Sequence, residues 1–325
     1  MNNILLSIAI PTVNRKSYLE ITLNQFIPQI LRNKNNVEIV VSNNASEDDT
    51  DDYMSKLILS YSEIKYYKSN IRMDLFKSFS TAVEKSSGKY LILWGDDDIP
   101  SPYFIEIILN IIQNNPTIGL IHYNRLIGYN LGLDLKSLKV CKKDYDEMIK
   151  VYDNVSDFNE NYFFDATFMS TIVFQKEGWE RGLSYDTKLH YGFEFMGTVF
   201  SGVSGNSCIY INFPLCIQRK PICRTWMKDW PLYGLIGIPN MVKDFERDGF
   251  YKNGYYNWYK KYNYFISYFY ILICAAAFKK KYKPLCRDIA KHQKSIYRKW
   301  ICYLTIYFCP KWMYLLVRNI QFKMK

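Results

Sequence analysis

Short apolar runs alternate with amphipathic stretches over the first 115 residues of the chain. Four of the apolar runs have the length of buried strands and end in polar loops, at residues 5–11, 37–41, 64–67 and 90–94. Between them, apolar residues recur three or four positions apart, which predicts helices through residues 23–30, to about residue 60, and through residues 76–83 and 104–111. This alternation of strand and helix is typical of a parallel sheet.

Polar residues predict where three of these helices begin. Ser17 and Glu20 have the spacing of a capping box, in which two side chains satisfy the first backbone N–H groups. Asp74 is placed to cap the third helix, and Ser101 followed by Pro102 favours the start of the fourth.

Polar clusters follow the predicted strands at residues 12–15, 42–46 and 96–98. In an open parallel sheet, ligands bind beyond the carboxyl ends of the strands, so we expect the clusters to converge. Asp96, Asp97 and Asp98 form one cluster, and three adjacent carboxylates favour a hard divalent cation that neutralises them and also binds phosphates. No glycine-rich dinucleotide or phosphate-loop motif follows any of the strands.

Three motifs in register carry a family resemblance: residues 7–15 (SIAIPTVNR), 38–50 (EIVVSNNASEDDT) and 88–98 (GKYLILWGDDD). Together they resemble a family 2 glycosyltransferase of the bacterial surface-polysaccharide type. The resemblance covers about the first 120 residues and thins to scattered similarity as far as Arg219. It implies the GT-A fold, a Rossmann-like, mostly parallel α/β sheet that binds nucleotide-diphospho sugars.

The resemblance also implies roles for the motif residues. The loop after the first strand, with Pro11, Thr12, Asn14 and Arg15, is implied to bind the nucleoside of the donor, with Thr12 and Asn43 or Asn44 at the base. Asp96 is implied at the ribose, Asp97 beside the donor, and Asp98, with Asp96, on a Mn²⁺ or Mg²⁺ ion. Asp74 is expected first to cap a helix, and a contact with the donor is its second possible role.

Two alternatives remain open for these motifs. Residues 43–49 also fit a solvated loop in which Ser46 caps a helix, and residues 96–98 also fit an exposed turn. Asn43 stands where the family often has an aspartate that contacts the base. Because an amide carries no charge, this difference leaves the identity of the base open.

An inverting transfer needs a carboxylate base, which in the family lies roughly a hundred residues after the metal motif. Glu194 falls 96 residues after Asp98 and precedes an apolar helical pattern, and Asp186 is the second candidate. Glu194 also fits a carboxylate that merely favours the helix N-terminus. His190, Arg219 and Trp226 are weaker candidates for binding the acceptor.

The basic charge of the chain is concentrated in its last 75 residues. Residues 251–325 hold sixteen Lys or Arg and one acid, whereas the whole chain has 42 basic and 31 acidic residues. Long aromatic and aliphatic runs between the cations favour an anionic membrane surface over nucleic acid. A shallow helix is expected to put these cations on lipid phosphates: Lys279, Lys280, Lys281, Lys283, Arg298, Lys299 and Arg318. A helical subdomain packed on the catalytic domain is the alternative.

These observations predict a nucleotide-sugar-binding half at residues 1–120, an acceptor-binding half at 121–250 and a membrane-associating helical extension at 251–325. No secretory signal is evident, and the scattered cysteines favour buried or lipid-facing thiols, so a cytoplasmic protein on the inner face of the plasma membrane is expected. The implied reaction moves a sugar to a hydroxyl of a polyprenyl-linked or other saccharide acceptor. A catalytically inactive relative that binds nucleotide or lipid is the alternative.

Overall fold

The computed structural model describes residues 4–129, 139–140, 147–220, 233–262, 295–308 and 312. Its first part alternates strand and helix as the apolar pattern predicts. The elements are β1 (Leu6–Thr12), α1 (Lys16–Arg32), β2 (Val37–Asn43), α2 (Thr50–Ser60), β3 (Ile64–Lys68), α3 (Leu75–Glu84) and β4 (Tyr90–Leu93).

The second part combines two long strands with several short ones. It contains β5 (Ile99–Pro100), α4 (Phe104–Asn114), β6 (Leu120–Tyr129), β7 (Lys139–Val140), β8 (Ile149–Tyr152), α5 (Val155–Tyr162), a 3₁₀ turn (Met169–Thr171), β9 (Ile172–Gln175), α6 (Lys176–Gly182), α7 (Glu194–Gly202) and β10 (Cys208–Lys220). A π-helix (Tyr233–Gly237) then precedes α8 (Ile238–Arg247), α9 (Gly254–Tyr262) and α10 (Ile296–Phe308).

The ten strands of the described residues belong to one mixed sheet with the order β3-β2-β1-β4-β9-β6-β10-β5, in which β7 adds to β6 and β8 adds to β10. The strands β3, β2, β1 and β4 are parallel, and β10 also runs parallel to β6 in the longest pairing. The antiparallel strand β9 joins the two parts. The loops after β1, β2 and β4 therefore leave the sheet at one edge, which is where ligands bind in such sheets.

The core lies between the sheet and the helices α1 and α4. The apolar face of α1 includes Leu23 and Phe26, which are fully buried. The ring of Phe26 packs edge-on against Trp94 at a centroid distance of 4.9 Å, and Phe104 of α4 packs against the same tryptophan at 5.0 Å. Only Gly95 separates Trp94 from the aspartates, so this aromatic cluster anchors the start of their loop.

One of the three predicted helix starts is confirmed. Asp74 is the N-cap of α3, and its carboxylate accepts a hydrogen bond from Lys77 N at 2.8 Å. The capping box is wrong, because Ser17 lies inside α1, whose Lys16 N–H donates instead to the distant carboxylate of Asp48 at 3.0 Å. The cap at Ser101 is also wrong, since α4 begins three residues later.

The chain divides into two units, which we describe separately. The first comprises residues 1–185 and 195–222, and the second comprises residues 186–194 and 223–325. The functional halves predicted at residues 120 and 250 stay predictions. Within the described residues, no helix has both the length and the apolar character needed to cross a membrane.

A buried carboxylate holds together the edge of the sheet opposite the aspartate loop. Glu38 of β2 is 2% exposed and accepts hydrogen bonds from Ser7 Oγ at 2.6 Å and from Ser87 N at 2.6 Å, with Lys65 Nζ at 2.5 Å. Burial disfavours the ionised form, but Lys65, Ser7 and Ser87 outweigh it and hold the pKa of Glu38 below its usual range.

We expect Glu38→Gln to lower the free energy of unfolding at pH 7 by about 2 kcal/mol, because donors that face a carboxylate lose their charged partner. A carboxyl group whose pKa is lower in the folded than in the unfolded chain stabilises the fold at pH values above its unfolded pKa. This contribution is lost as the pH falls through the folded pKa. In urea denaturation, the difference from the wild type should therefore stay constant from pH 7 to about pH 5 and shrink as the pH falls below about 4. Glu84→Gln, at an exposed glutamate of α3, is the control and should match the wild type. A difference independent of pH would contradict the role of the Glu38 charge.

Candidate active site

The loops that follow β1 and β2 are joined by hydrogen bonds. Asn44 N donates to Thr12 O at 2.9 Å, Asn14 N donates to Ser46 Oγ at 2.9 Å, and Glu47 N donates to Asn14 Oδ1 at 2.7 Å. Asn14 has a φ of 52°, a left-handed conformation that asparagine tolerates better than most residues. The predicted convergence of these two polar clusters is confirmed.

The side chains of Asn43 and Asn44 are buried and shape the same loop. Asn43 donates to the hydroxyl of Tyr66 at 2.8 Å and accepts from Ser46 N at 2.9 Å. Asn44 pairs with the backbone of Met73, accepting at 2.8 Å and donating at 3.0 Å. Both amides thus maintain local structure, and a contact from either side chain to a nucleotide base stays a prediction.

Asp96 and Asp97 face the loop after β1. Thr12 Oγ1 donates to Asp96 Oδ2 at 2.8 Å, and Arg15 Nη1 lies 2.8 Å from Asp96 Oδ1 and 2.9 Å from Asp97 Oδ2. Asp96 is 5% exposed, so this motif is not the exposed turn of the alternative interpretation. Pro11, the residue before Thr12, is buried within β1 and pairs with Ser42 of β2.

Asp98 is more deeply enclosed, with 2% of its surface exposed. Its Oδ2 accepts a hydrogen bond of 2.6 Å from Ser170 Oγ, which itself accepts from Gly95 N at 2.8 Å. The backbone oxygen of Asp98 accepts from Trp94 Nε1 at 3.0 Å and from Thr22 Oγ1 at 2.9 Å. Sequence reasoning missed Ser170 and Thr22 because neither belongs to a motif or lies near Asp98 along the chain.

The environment disfavours negative charge on the buried aspartates. Burial raises the pKa of Asp96 to about 6, although the charge of Arg15 opposes the change. Burial and the neighbouring charge of Asp97 raise the pKa of Asp98 well above its usual range. The carboxylates, which are close together, are thus incompletely neutralised, a condition that favours binding of a cation.

Arg219 of β10 lies against the backbone of the aspartate loop. Its Nε donates to Asp97 O, and its Nη2 lies 3.3 Å from both Tyr18 O and Thr22 Oγ1. The ring of Tyr18 receives two guanidinium groups, Arg15 at 5.1 Å and Arg219 at 5.3 Å from the centroid. Burial lowers the pKa of Arg219, although Asp97 and Asp98 oppose this. The residue predicted on the acceptor side therefore supports the aspartate loop.

The remaining candidates lie in or near the second unit. Asp186 is exposed and accepts from Lys188 N at 3.1 Å, and Glu194 is the half-buried first residue of α7. His190 is fully buried with Nε2 at 3.1 Å from Asp244 Oδ2, and burial lowers its pKa despite that carboxylate. This pairing suits a structural role for His190 better than an acceptor contact. Trp226 lies outside the described residues.

The model of the family described as "Glycosyl transferase family 2" matches residues 7–173, which include both motif loops, the aspartates and Ser170. The chain belongs to glycosyl transferase family 2. The resemblance carried by the three motifs is thereby confirmed.

Two curated family relatives match about two thirds of the chain. The abequosyltransferase RfbV of Salmonella typhimurium is 26% identical over 236 residues, which are 68% of this chain and 66% of the relative. An uncharacterized glycosyltransferase, RP339 of Rickettsia prowazekii, is 27% identical over 66% of this chain and 64% of its own length. The match thus spans slightly less than two thirds of each relative.

Solved structures confirm the GT-A-like fold. S. aureus TarS 1-349 in complex with UDP-GlcNAc superposes with a TM-score of 0.60 at 12% identity, over 99% of this chain and 93% of that one. The mannosyltransferase PcManGT from Pyrobaculum calidifontis, in complex with GDP-Man and Mn²⁺, gives 0.55 at 14% identity, over 98% and 87% of the two chains. At these identities the likeness concerns the fold alone.

Proposed function

We propose that this chain transfers a sugar from a nucleoside-diphosphate donor to a hydroxyl group of a saccharide acceptor. The observation that carries the proposal is the convergence of Thr12, Arg15 and the buried aspartates at the carboxyl ends of β1, β2 and β4. TarS and PcManGT, which have this fold, were solved with UDP-GlcNAc and GDP-Man, and family membership supports the same donor class here.

The joined loops after β1 and β2 are the proposed binding site for the nucleoside. Pro11, Thr12, Asn14 and the backbone of residues 43–44 shape it, with Asp96 at the ribose. Arg15 pairs with the carboxylates of both Asp96 and Asp97, so it is placed to contact the diphosphate once these partners have another counter-charge. Asp74 caps α3 and is the peripheral member of this set.

The aspartates fit a divalent cation that is shared with the donor. No described group of three His, Cys, Asp or Glu side chains has the arrangement of a metal site, but a cation bound to phosphates needs only one or two protein carboxylates. Asp98 Oδ1 accepts no hydrogen bond from the described residues, and burial, followed by the charge of Asp97, raises the pKa of this carboxyl. Asp98 and Asp96 would hold Mn²⁺ or Mg²⁺, which as a Lewis acid stabilises a departing diphosphate.

Proton removal from the acceptor hydroxyl is assigned to Glu194, with Asp186 as the second candidate. Inversion requires this carboxylate on the face of the sugar opposite the leaving group. Within the second unit, the segment that carries both residues is held by His190, which bonds Asp244 of α8, and by Gly237, whose added Cβ would meet His190 O at 2.4 Å. This rigid support suits a segment that positions a catalytic carboxylate.

The helix α10 supports a proposed attachment to an anionic membrane surface. Six large apolar residues are at least 36% exposed on it: Ile296, Tyr297, Trp300, Ile301, Leu304 and Phe308. At 100° per residue they fall within an arc of about 140°, so they form one continuous apolar face. The excess of cations in residues 251–325 complements anionic headgroups, and this location favours a lipid-linked saccharide as the acceptor.

We expect one nucleoside diphosphate among UDP, CDP, GDP and dTDP to raise the melting temperature by about 5 °C when Mn²⁺ is present and the ligand is at 100 times its Kd. Asp98→Asn should abolish the part of the shift that depends on Mn²⁺, because the proposed cation ligand loses its charge. Asp52→Asn, at an exposed aspartate of α2, should behave like the wild type in the same scans. No shift with any of the four nucleotides would overturn the donor site.

We expect Glu194→Gln to lower kcat by about 10² to 10⁴, the range for loss of a general base, and to leave the nucleotide-induced melting shift unchanged. Release of nucleoside diphosphate from the sugar donor, with a lipid extract supplying acceptor, measures the rate. Asp186→Asn tests the alternative base in the same assay. Glu180→Gln, at an exposed residue of α6, is the control and should keep the activity of the wild type. Full activity in both test variants would show that neither residue is the base. Nucleotide binding by a wild type that releases no product would favour the inactive relative.

We expect the full chain to sediment with vesicles containing a quarter phosphatidylglycerol and to bind pure phosphatidylcholine vesicles at least tenfold more weakly. The double variant Trp300→Gln/Phe308→Gln should reduce binding to the anionic vesicles by at least tenfold, because it removes two large apolar side chains from the α10 face. Tyr103→Gln, at an aromatic residue of the first unit with 66% exposure, is the matched control. Equal binding by the double variant and the control would contradict this surface.

A further inference from the structure

Ser170 lies in the 3₁₀ turn before β9, is fully buried, and is 72 residues from the aspartate that it contacts. Its hydroxyl oxygen accepts a hydrogen bond from Gly95 N at 2.8 Å and donates to Asp98 Oδ2 at 2.6 Å. The hydroxyl hydrogen is thus directed at Asp98, because a neighbouring N–H already occupies the acceptor side.

Two further contacts fix this pair in place. Tyr123 donates its hydroxyl to Ser170 O at 2.5 Å, which holds the backbone of the turn. Gly95 leaves the space that the pair needs, since an added Cβ would lie 2.6 Å from Asp98 Oδ2. A side chain at position 95 would therefore displace the carboxylate of Asp98 from this arrangement.

The other polar atoms of Asp98 are also accounted for. Its backbone N donates to Gly95 O at 3.1 Å, and its backbone oxygen accepts from Trp94 and Thr22. Within the described residues, Oδ1 is the one polar atom of Asp98 without a hydrogen bond. The carboxylate is thus held by one oxygen and has the other available for a ligand.

We propose that Ser170 is a positioning residue for the donor site: it holds Asp98 by Oδ2 so that Oδ1 alone binds the cation that accompanies the nucleoside diphosphate. The proposal rests on the proposed function, since it deepens the role given to Asp98. A carboxylate that is fixed in this way binds through a single oxygen. Without the hydroxyl the carboxylate can rotate, and groups that orient metal ligands in this manner typically change metal affinity by about 10- to 100-fold.

Titration of the full chain with Mn²⁺, followed by the electron paramagnetic resonance signal of the free ion, tests the role. Each of UDP, CDP, GDP and dTDP is present in turn at saturating concentration. Ser170→Ala should weaken Mn²⁺ binding at least tenfold and leave the nucleotide Kd in EDTA unchanged. Thr171→Val is the matched control, because it removes a neighbouring buried hydroxyl that donates to Phe168 O at 2.6 Å rather than to Asp98. It should bind Mn²⁺ like the wild type.

The possible failures are distinguishable. Equal Mn²⁺ affinity in Ser170→Ala and the wild type would overturn the positioning role and leave the donor site standing. Parallel loss of Mn²⁺ affinity and of nucleotide affinity in EDTA would show general damage to the site and would also overturn it. A wild type that binds nucleotide but takes up no Mn²⁺ would overturn both this inference and the metal part of the proposed function.

Discussion

Burial of two carboxylates, Asp96 and Asp98, within the run of three after β4 is the constraint on which the candidate site depends. Aspartates 96 and 98 are at most 5% exposed, and each ionised group loses hydration that only cations and hydrogen-bond donors can replace. The groups around them come from four separate places: Arg15 in the loop after β1 and Ser170 in the turn before β9 contact the carboxylates, whereas Thr22 of helix α1 and Arg219 of strand β10 donate to backbone oxygens of the aspartate loop. Placing the aspartates therefore fixes the relative positions of both parts of the sheet.

Buried carboxylates at the two edges of the sheet have pKa values that are shifted in opposite directions. At the amino edge, Glu38 has enough donors to lower its pKa, and the network serves stability. At the carboxyl edge, burial exceeds the available compensation, and the pKa of Asp96 and that of Asp98 rise. The free energy that is lost by burying these carboxylates can be regained when a bound cation supplies the missing positive charge. This is the behaviour expected of a site for a cation and a diphosphate.

Helix starts show where local sequence rules succeed and where they fail. Asp74 caps α3 as predicted because its partner, Lys77 N, lies three residues away. Ser17 and Ser101 have equally good local signals, yet the first N–H group of α1, that of Lys16, donates to the carboxylate of Asp48, which lies 32 residues away. The loop after β2 thus caps α1 through a tertiary contact in place of the local cap predicted at Ser17. No pattern of neighbouring residues predicts that contact.

The sequence by itself determined the order of β1 to β4 and α1 to α4, the polar loops at the ends of β1, β2 and β4, and the family, because periodicity and short motifs depend only on residues that are close together along the chain. Only the tertiary structure decided which groups surround the aspartates. Ser170 contacts Asp98 across 72 residues and Arg219 contacts Asp97 across 122, in segments without a motif. It also assigned the amides of Asn43 and Asn44 to loop structure. Such contacts depend on how the strands are ordered in the sheet, and strand order is a property of the packed chain as a whole.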